Sequence, residues 1–190
     1  QRFTPKMALT ISLFRDDVTD TILRQTDATV TPTVTRVSNV DKVLTQGIEL
    51  VWQSRDVGIQ GLNLGGSATW TDATVTANAA NPAQVGKQWL RIPPQRYTVQ
   101  ASYRPNAEWL FGASWRWAST MFNTELNIDN NPNTYGGTSS VNQLDLKAAW
   151  KFAKHWEWSA GINNVGNQPS WQGHTMPQCS VQTEVRYSLL

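Results

Sequence analysis

The chain has 190 residues, of which 39% are hydrophobic and 16% charged, and both fractions are lower than in an average globular domain. Its net charge of +2 is too small and too dispersed for a nucleic-acid-binding surface, so nucleic acid is not expected as a partner. A single cysteine, Cys179, excludes an internal disulfide, and the apolar runs are too short for a membrane helix of about 20 residues.

Apolar and polar residues alternate along most of the chain, which indicates β-strands with one apolar and one polar face. The alternation is clearest where Leu144, Leu146 and Trp150 share one face while Asp145 and Lys147 share the other. In chain order, eight strands are predicted, at residues 7–24, 36–54, 61–77, 95–104, 109–119, 140–152, 156–164 and 180–189. No segment has the periodicity of an amphipathic helix.

The connections between the predicted strands alternate in length. Short turns are predicted at residues 55–60, 104–108 and 153–155. Long polar loops are predicted at residues 25–35, 78–94, 120–139 and 165–179. An even number of antiparallel strands, with short turns at one rim and long loops at the other, is the sequence signature of an outer-membrane β-barrel.

Aromatic residues of the apolar face lie beside the predicted short turns or near the last residue. They are Trp52, Tyr103, Trp109, Trp150, Trp156 and Tyr187. Trp and Tyr rings collect at the headgroup level of a membrane because one end of each ring is apolar and the other polar. The same positions also fit the core of a soluble β-sandwich, since period-two alternation does not say which face is outside.

Several segments resemble the C-terminal half of the barrel of TonB-dependent receptors. Residues 8–22 (ALTISLFRDDVTDTI) are similar to a family strand with Phe, an acidic residue and a closing Ile. Residues 39–50 (NVDKVLTQGIEL) resemble its Asn, spacer and Gly-x-Glu segment, and residues 91–103 its Pro-initiated strand that ends on an aromatic. The strongest match is residues 161–171 (GINNVGNQPSW), similar to a Gly-x-x-Asn sequence followed by a polar turn and an aromatic. The order and spacing of these segments carry the resemblance, because no single motif is specific.

The resemblance implies an all-β chain of antiparallel transmembrane β-barrel strands, about eight of the 22 in such a plugged barrel. Residues 1–190 would be the C-terminal portion of that barrel, with the plug domain and the earlier strands outside them. One departure lies at the end of the chain, where Leu190 follows the in-register pair Tyr187 and Leu189, whereas the family usually ends on Phe.

The resemblance also implies a location and partners. The location would be the outer membrane of a Gram-negative bacterium, with lipid around the barrel. The function would be energy-coupled uptake of a scarce ligand such as a ferric siderophore, driven by the TonB complex through the absent N-terminal plug region. Eight residues are predicted to face lipid: Leu144, Leu146, Trp150, Trp156, Trp158, Val185, Tyr187 and Leu189. Six are predicted to face the lumen: Gln143, Asp145, Lys147, Glu157, Glu184 and Arg186.

No catalytic residues are predicted, because the two histidines, His155 and His174, are far apart in sequence and no triad is recognisable. An enzyme is therefore not expected, and neither a cofactor nor a metal site is predicted. Ligand contacts are expected in the long loops, because binding residues concentrate on loops held by a rigid scaffold. The candidates, for hydrogen bonding and stacking, are Asn123, Asn127, Asp129, Tyr135 and Trp171.

Two other architectures fit the alternation. One is a complete small eight-stranded outer-membrane barrel with a structural or adhesion role, whose narrow lumen would be filled by side chains. The predicted inward positions are short instead, and include Ser67, Thr69, Thr98, Ser102, Ser114 and Ser159. The other is a soluble lipocalin-like binder with its faces reversed, in which the alternating loop lengths would be a coincidence.

Overall fold

A computed structural model describes residues 2–27, 29–129 and 131–189, and the departure at Leu190 lies outside them. Nine antiparallel strands form one sheet in which the strands follow one another in chain order. They are β1 (Arg2–Thr4), β2 (Met7–Asp27), β3 (Val34–Ser54), β4 (Leu62–Ala77), β5 (Gln95–Tyr103), β6 (Trp109–Ala118), β7 (Val141–Ala153), β8 (Trp156–Asn163) and β9 (Ser180–Tyr187). A short 3₁₀ helix, Pro82–Gln84, lies between β4 and β5. Within the described ranges, no helix is long and apolar enough to cross a membrane.

All eight predicted strands are confirmed as β2 to β9, and the three-residue β1 is additional. The largest boundary difference is at the end of β2, which continues from the predicted residue 24 to Asp27 and so enters the predicted loop 25–35. The Asp27 carboxylate explains this extension. It accepts a hydrogen bond from the backbone N–H of Thr29 at 3.0 Å and pairs with the guanidinium of Arg36 on β3. The two strands are thereby held together up to their tip.

The two faces of the strands run continuously across the sheet, because neighbouring strands pair in register. The apolar face contains the cross-strand row Trp52, Gly66, Val99, Trp115 and Leu144. The polar face contains the adjacent row Gln53, Gly65, Gln100, Ser114 and Asp145. Many large side chains of the apolar face are uncovered, and Ile11 and Leu13 are 59% and 80% exposed. The sheet therefore has no hydrophobic core on this side among the described residues.

A small buried core lies at the end of the sheet where the long connections are. It consists of Val40, Val43 and Val75, against which Leu23 and Trp89 pack. The register of β3 against β4 shifts between Lys42 and Val43, and a bulge of this kind re-aims the side chains around it. Because Trp89 belongs to the connection between β4 and β5, that long connection folds back against the sheet and does not extend into solvent.

The opposite end of the sheet has short turns that hold one another. Gly61 has a positive φ of 84°, and a Cβ at this position would lie 2.2 Å from the carbonyl oxygen of Arg104, so only glycine fits. The Asp56 carboxylate accepts a hydrogen bond from the Gly61 N–H at 2.8 Å and lies 3.2 Å from the Lys6 ammonium. The Gly61 N–H and the Lys6 ammonium lower the pKa of Asp56 below its ordinary value. We refer to this end as the short-turn rim and to the other as the long-loop rim.

Candidate functional site

The polar face has a broad concave surface with a volume of about 670 Å³. Short side chains such as Ser67, Ser102 and Ser114 line it, as the sequence predicts for the inward positions. The larger side chains of Asp145 and Lys147 lie among them, and the Asp145 carboxylate forms an ion pair with the Arg116 guanidinium at 2.8 Å. Short side chains leave free space above the sheet, so this face can accommodate solvent, another segment or a ligand.

At the long-loop rim, a buried hydrogen-bond network fixes the connection between β4 and β5 to the tip of β2. Gln25 is fully buried, and its Nε2 donates to the carbonyl oxygen of Asn39 at 2.8 Å. Asn78 Nδ2 donates to Gln25 Oε1 at 2.7 Å and to Gln84 Oε1 at 2.8 Å. Every side-chain amide in this hydrogen-bond network has a partner, and this allows the groups to be buried without a large free-energy penalty.

Glu125, in the connection between β6 and β7, joins a second long loop to the same network. Its Oε2 accepts hydrogen bonds from the Gln84 Nε2 at 2.8 Å and the Asn81 Nδ2 at 3.2 Å. The backbone N–H of Thr26 is a third donor, at 3.2 Å. One carboxylate oxygen thus connects β2 with two loops. These residues were not predicted, because nothing in the local sequence distinguishes them from other polar loop residues.

Two of the five predicted ligand contacts, Asn123 and Asn127, use their amides inside the loops. Asn123 Oδ1 accepts from Arg91 Nε at 2.8 Å, and its Nδ2 donates to the carbonyl oxygen of Gly136 at 2.5 Å. Asn127 Oδ1 accepts from the backbone N–H of Gln88 at 2.7 Å, and its Nδ2 donates to the Gln88 carbonyl at 3.1 Å. Both side chains therefore fix one long loop against another.

Asp129 likewise stabilises its own loop. Its carboxylate accepts hydrogen bonds from the backbone N–H groups of Asn123 and Thr124 at 3.2 Å and from the Thr124 hydroxyl at 2.7 Å. These bonds close a compact turn in the connection between β6 and β7. Ligand contact by Asn123, Asn127 or Asp129 stays a prediction, and it would have to use their remaining lone pairs.

The other two predicted contacts, Tyr135 and Trp171, lie on two long loops that pair with each other. The backbone N–H of Ser139 donates to the Trp171 carbonyl at 2.9 Å, and the Trp171 N–H donates to the Ser139 hydroxyl at 2.7 Å. Tyr135 is 72% exposed, and its ring contacts that of His174 edge to face at a centroid distance of 4.8 Å. Tyr135 has the most exposed side chain of the five predicted residues.

Aromatic rings on the apolar face form a first belt near the short-turn rim. Trp109 stacks on Trp150 with ring centroids 5.4 Å apart, and Trp156 packs against Tyr187 at 4.8 Å. Phe152 lies between these two pairs, 5.6 Å from Trp150. The sequence predicts this belt.

A second belt lies near the long-loop rim and was not predicted. Tyr97 contacts Trp70 at 5.6 Å and stacks on Trp117 at 5.2 Å. Trp109 and Trp117 are eight residues apart on β6, which is about 27 Å along the strand. The apolar face is therefore bounded by aromatic rings at both ends.

A family model described as "TonB dependent receptor-like, beta-barrel" matches residues 2–165, which is most of the chain. The chain belongs to this family. The resemblance found in the sequence is confirmed. The predicted fold class, an all-β chain of antiparallel barrel strands, is confirmed as well. No curated protein matches the chain.

Solved structures of TonB-dependent receptors have the same fold. The unliganded ferric citrate transporter FecA superposes with a TM-score of 0.78 at 15% identity, covering 96% of this chain and 29% of FecA. The siderophore receptor PiuA from Acinetobacter baumannii gives 0.69 at 18% identity, covering 94% of this chain and 24% of PiuA. The copper transporter OprC gives 0.71 at 16% identity, covering 98% and 29%. The chain thus spans about a quarter of the length of these receptors.

Proposed function

We propose that the chain forms part of the outer-membrane barrel wall of a TonB-dependent receptor that imports a ferric siderophore with energy from the TonB complex. The plug domain and the remaining strands of a 22-stranded barrel would belong to the rest of the receptor. The observation that carries the proposal is the exposed apolar face between two aromatic belts, in a chain of this family.

The spacing of the belts supports lipid contact. Strands of outer-membrane barrels are tilted by about 35–45°, so the 27 Å along β6 corresponds to about 20 Å along the membrane normal. Such barrels have an apolar band about 25 Å tall between aromatic girdles. Exposed side chains such as Ile11 and Leu13 would be solvated by hydrocarbon there, whereas in water they would form a large apolar patch of the kind that soluble monomers avoid.

The edges of the sheet support a wall that is completed by other strands. Among the described residues, β9 pairs with β8 alone, and β1 covers only the beginning of β2. Each unpaired backbone group in hydrocarbon costs several kcal/mol, so these edges need partners inside a membrane. This argues against the alternative of a small closed barrel, in which the first and last strands would pair.

The proposed ligand class rests on the receptors with the same fold. Their names include a siderophore receptor and the ferric citrate transporter, so a ferric chelate is the substrate we propose. Contacts to it would come from the paired loops at the long-loop rim, with Tyr135 and Trp171 for stacking and with Asn123, Asn127 and Asp129 for hydrogen bonding. The long-loop rim would then be extracellular.

The test is uptake by the intact receptor, produced in a Gram-negative strain that lacks its own siderophore receptors. We expect uptake of radiolabelled iron from at least one ferric siderophore, and its loss when the tonB gene is deleted. Heat-modifiable gel mobility in the same cells checks that the barrel has inserted. An inserted protein that transports none of a panel of ferric siderophores, or that transports without TonB, would contradict the proposal.

A further inference from the structure

A second, smaller pocket lies on the polar face beside the long-loop rim, with a volume of about 550 Å³. Five hydroxyl side chains from β3, β4 and β5 line it, together with the apolar groups of Phe14, Ile92 and Pro93. Its charged groups are two arginines, Arg91 and Arg96, and one carboxylate, Glu49. The volume is within the range of about 300–1,000 Å³ that small-molecule sites occupy.

Both arginines have guanidinium N–H groups with no hydrogen-bond acceptor among the described residues. Arg91 donates its backbone N–H to the Phe122 carbonyl at 2.9 Å and its Nε to Asn123 at 2.8 Å, while its two Nη groups have no acceptor among the described residues. The Arg96 guanidinium has no hydrogen-bond or ion-pair partner in that part of the chain. By contrast, the guanidinium of Arg116, on the neighbouring strand β6, is paired with Asp145.

The backbone at Arg91 is held in an unfavourable conformation. Its φ is 60°, in the left-handed region that non-glycine residues other than Asn and Asp seldom occupy. The hydrogen bonds to Phe122 and Asn123 keep it there and so hold the guanidinium in place. Such local strain is found where the surrounding structure fixes a side chain for binding.

Glu49 and Arg96 lie on opposite sides of the pocket. In the cross-strand row, Glu49 pairs with Thr69 and Thr69 pairs with Arg96, so the two charged residues are two strand spacings apart, about 10 Å. They form no ion pair with each other, and in the row only Thr69 lies between them. The Phe14 ring covers Gly47, where a Cβ would lie 2.5 Å from the ring, and provides an apolar wall.

We infer that this pocket binds a hydroxycarboxylate, that is, an organic anion with several carboxylates and a hydroxyl group. Arg91 and Arg96 would each hold a carboxylate, because a guanidinium presents paired donors that match two oxygens. Glu49 would accept a hydrogen bond from the ligand's hydroxyl group, and Phe14 would contact its carbon skeleton. Inorganic phosphate would use only the arginines. The inference rests on the proposed function, since the polar face must face the transport path for such a ligand to reach it.

The experiment measures binding of citrate to the detergent-solubilised intact receptor by isothermal titration calorimetry. We expect Arg96→Gln and Arg91→Gln each to weaken binding at least tenfold. The matched control is Arg104→Gln, which removes the same charge at the short-turn rim and should leave binding unchanged. Tricarballylate, which has the three carboxylates of citrate without its hydroxyl, tests Glu49. The unmodified receptor should prefer citrate, and Glu49→Gln should reduce that preference.

Several results would overturn the inference. They are absence of citrate binding, equal loss of affinity in the Arg96 and Arg104 variants, displacement of citrate by an equal concentration of inorganic phosphate, and no preference for citrate over tricarballylate. If another segment of the receptor occupies the pocket, citrate will not bind and Arg96→Gln will instead lower thermal stability. In each case TonB-dependent uptake of iron can persist, so failure of this inference is distinct from failure of the proposed function.

Discussion

A charge on the apolar face, midway between the aromatic belts, should destabilise the protein much more than the same charge on the polar face. Leu146 is the best position for this test. It pairs with Ala113, which lies four residues from both Trp109 and Trp117, and it is 40% exposed. Four residues are about 14 Å along a strand, which corresponds to about 10 Å along the membrane normal when the strand is tilted. Leu146 would therefore lie near the membrane midplane.

The expected cost of Leu146→Arg is about 2–4 kcal/mol, the range for arginine at the midplane of an outer-membrane barrel. Phe152→Arg, at the level of the first belt, should cost no more than about 1 kcal/mol, since the penalty falls toward the interface. Gln100→Arg is the control, because Gln100 is exposed on the polar face and is adjacent in sequence to Ala101, which pairs with Ala113. It should change stability little.

The assay is guanidinium-induced unfolding of the intact receptor in phospholipid vesicles, followed by tryptophan fluorescence and by heat-modifiable gel mobility. The difference between Leu146→Arg and Gln100→Arg is the informative quantity, because both variants add one arginine at a similar level of the sheet. Equal destabilisation by the two variants, or a larger effect at Gln100, would refute the assignment of the apolar face to lipid.

Three further predictions concern the long loops and the short turns. Deleting residues 123–137 should impair uptake while leaving the gel mobility shift intact, because the loop adds little to barrel closure. Loss of both uptake and the mobility shift would show that the loop is structural. Glu125→Leu should increase hydrogen exchange in residues 78–94, since the buried Gln84 amide loses its acceptor, and unchanged exchange there would contradict the role of the network. The Asp56 carboxylate has a lowered pKa, so its contribution to stability is present above the unfolded pKa and is lost as pH falls below about 4. Asp56→Asn should flatten the pH dependence of the unfolding midpoint in that range, and an unchanged slope would show that Asp56 does not cause it.

The isolated chain provides a last prediction about the edges. Two unpaired strand edges cannot be accommodated in hydrocarbon, so residues 1–190 alone should aggregate or associate edge to edge in detergent. A structure determination that found a closed, monodisperse eight-stranded monomer would contradict this and favour the small-barrel alternative.

The strands and their two faces could be predicted from the sequence because both are local properties. Side chains alternate across a strand, so Leu144, Leu146 and Trp150 identify their common face without any knowledge of the partner strand. The lengths of the connections are equally local. The end of β2 could not be predicted, because its extension depends on the pairing of Asp27 with Arg36 across the hairpin.

Cross-strand register decided the features that could not be predicted from the sequence. Trp70, Tyr97 and Trp117 lie on three strands, and they form a belt because the register brings them to one level. Alternation assigns a residue to a face but says nothing of its height relative to the next strand. The facing positions of Glu49 and Arg96 across the second pocket depend on register in the same way.

The loops show most clearly what only the tertiary structure could decide. A loop rich in Asn and Asp has the same composition whether its side chains bind a ligand or bind each other, so the sequence could name Asn127 as a candidate but not its partner. That partner is Gln88, 39 residues away, and the buried bond from Asn78 to Gln25 spans 53 residues. Hydrogen-bonding capacity is a property of each residue, which the sequence determines. Whether that capacity is already satisfied depends on which distant segments the fold brings within about 3 Å.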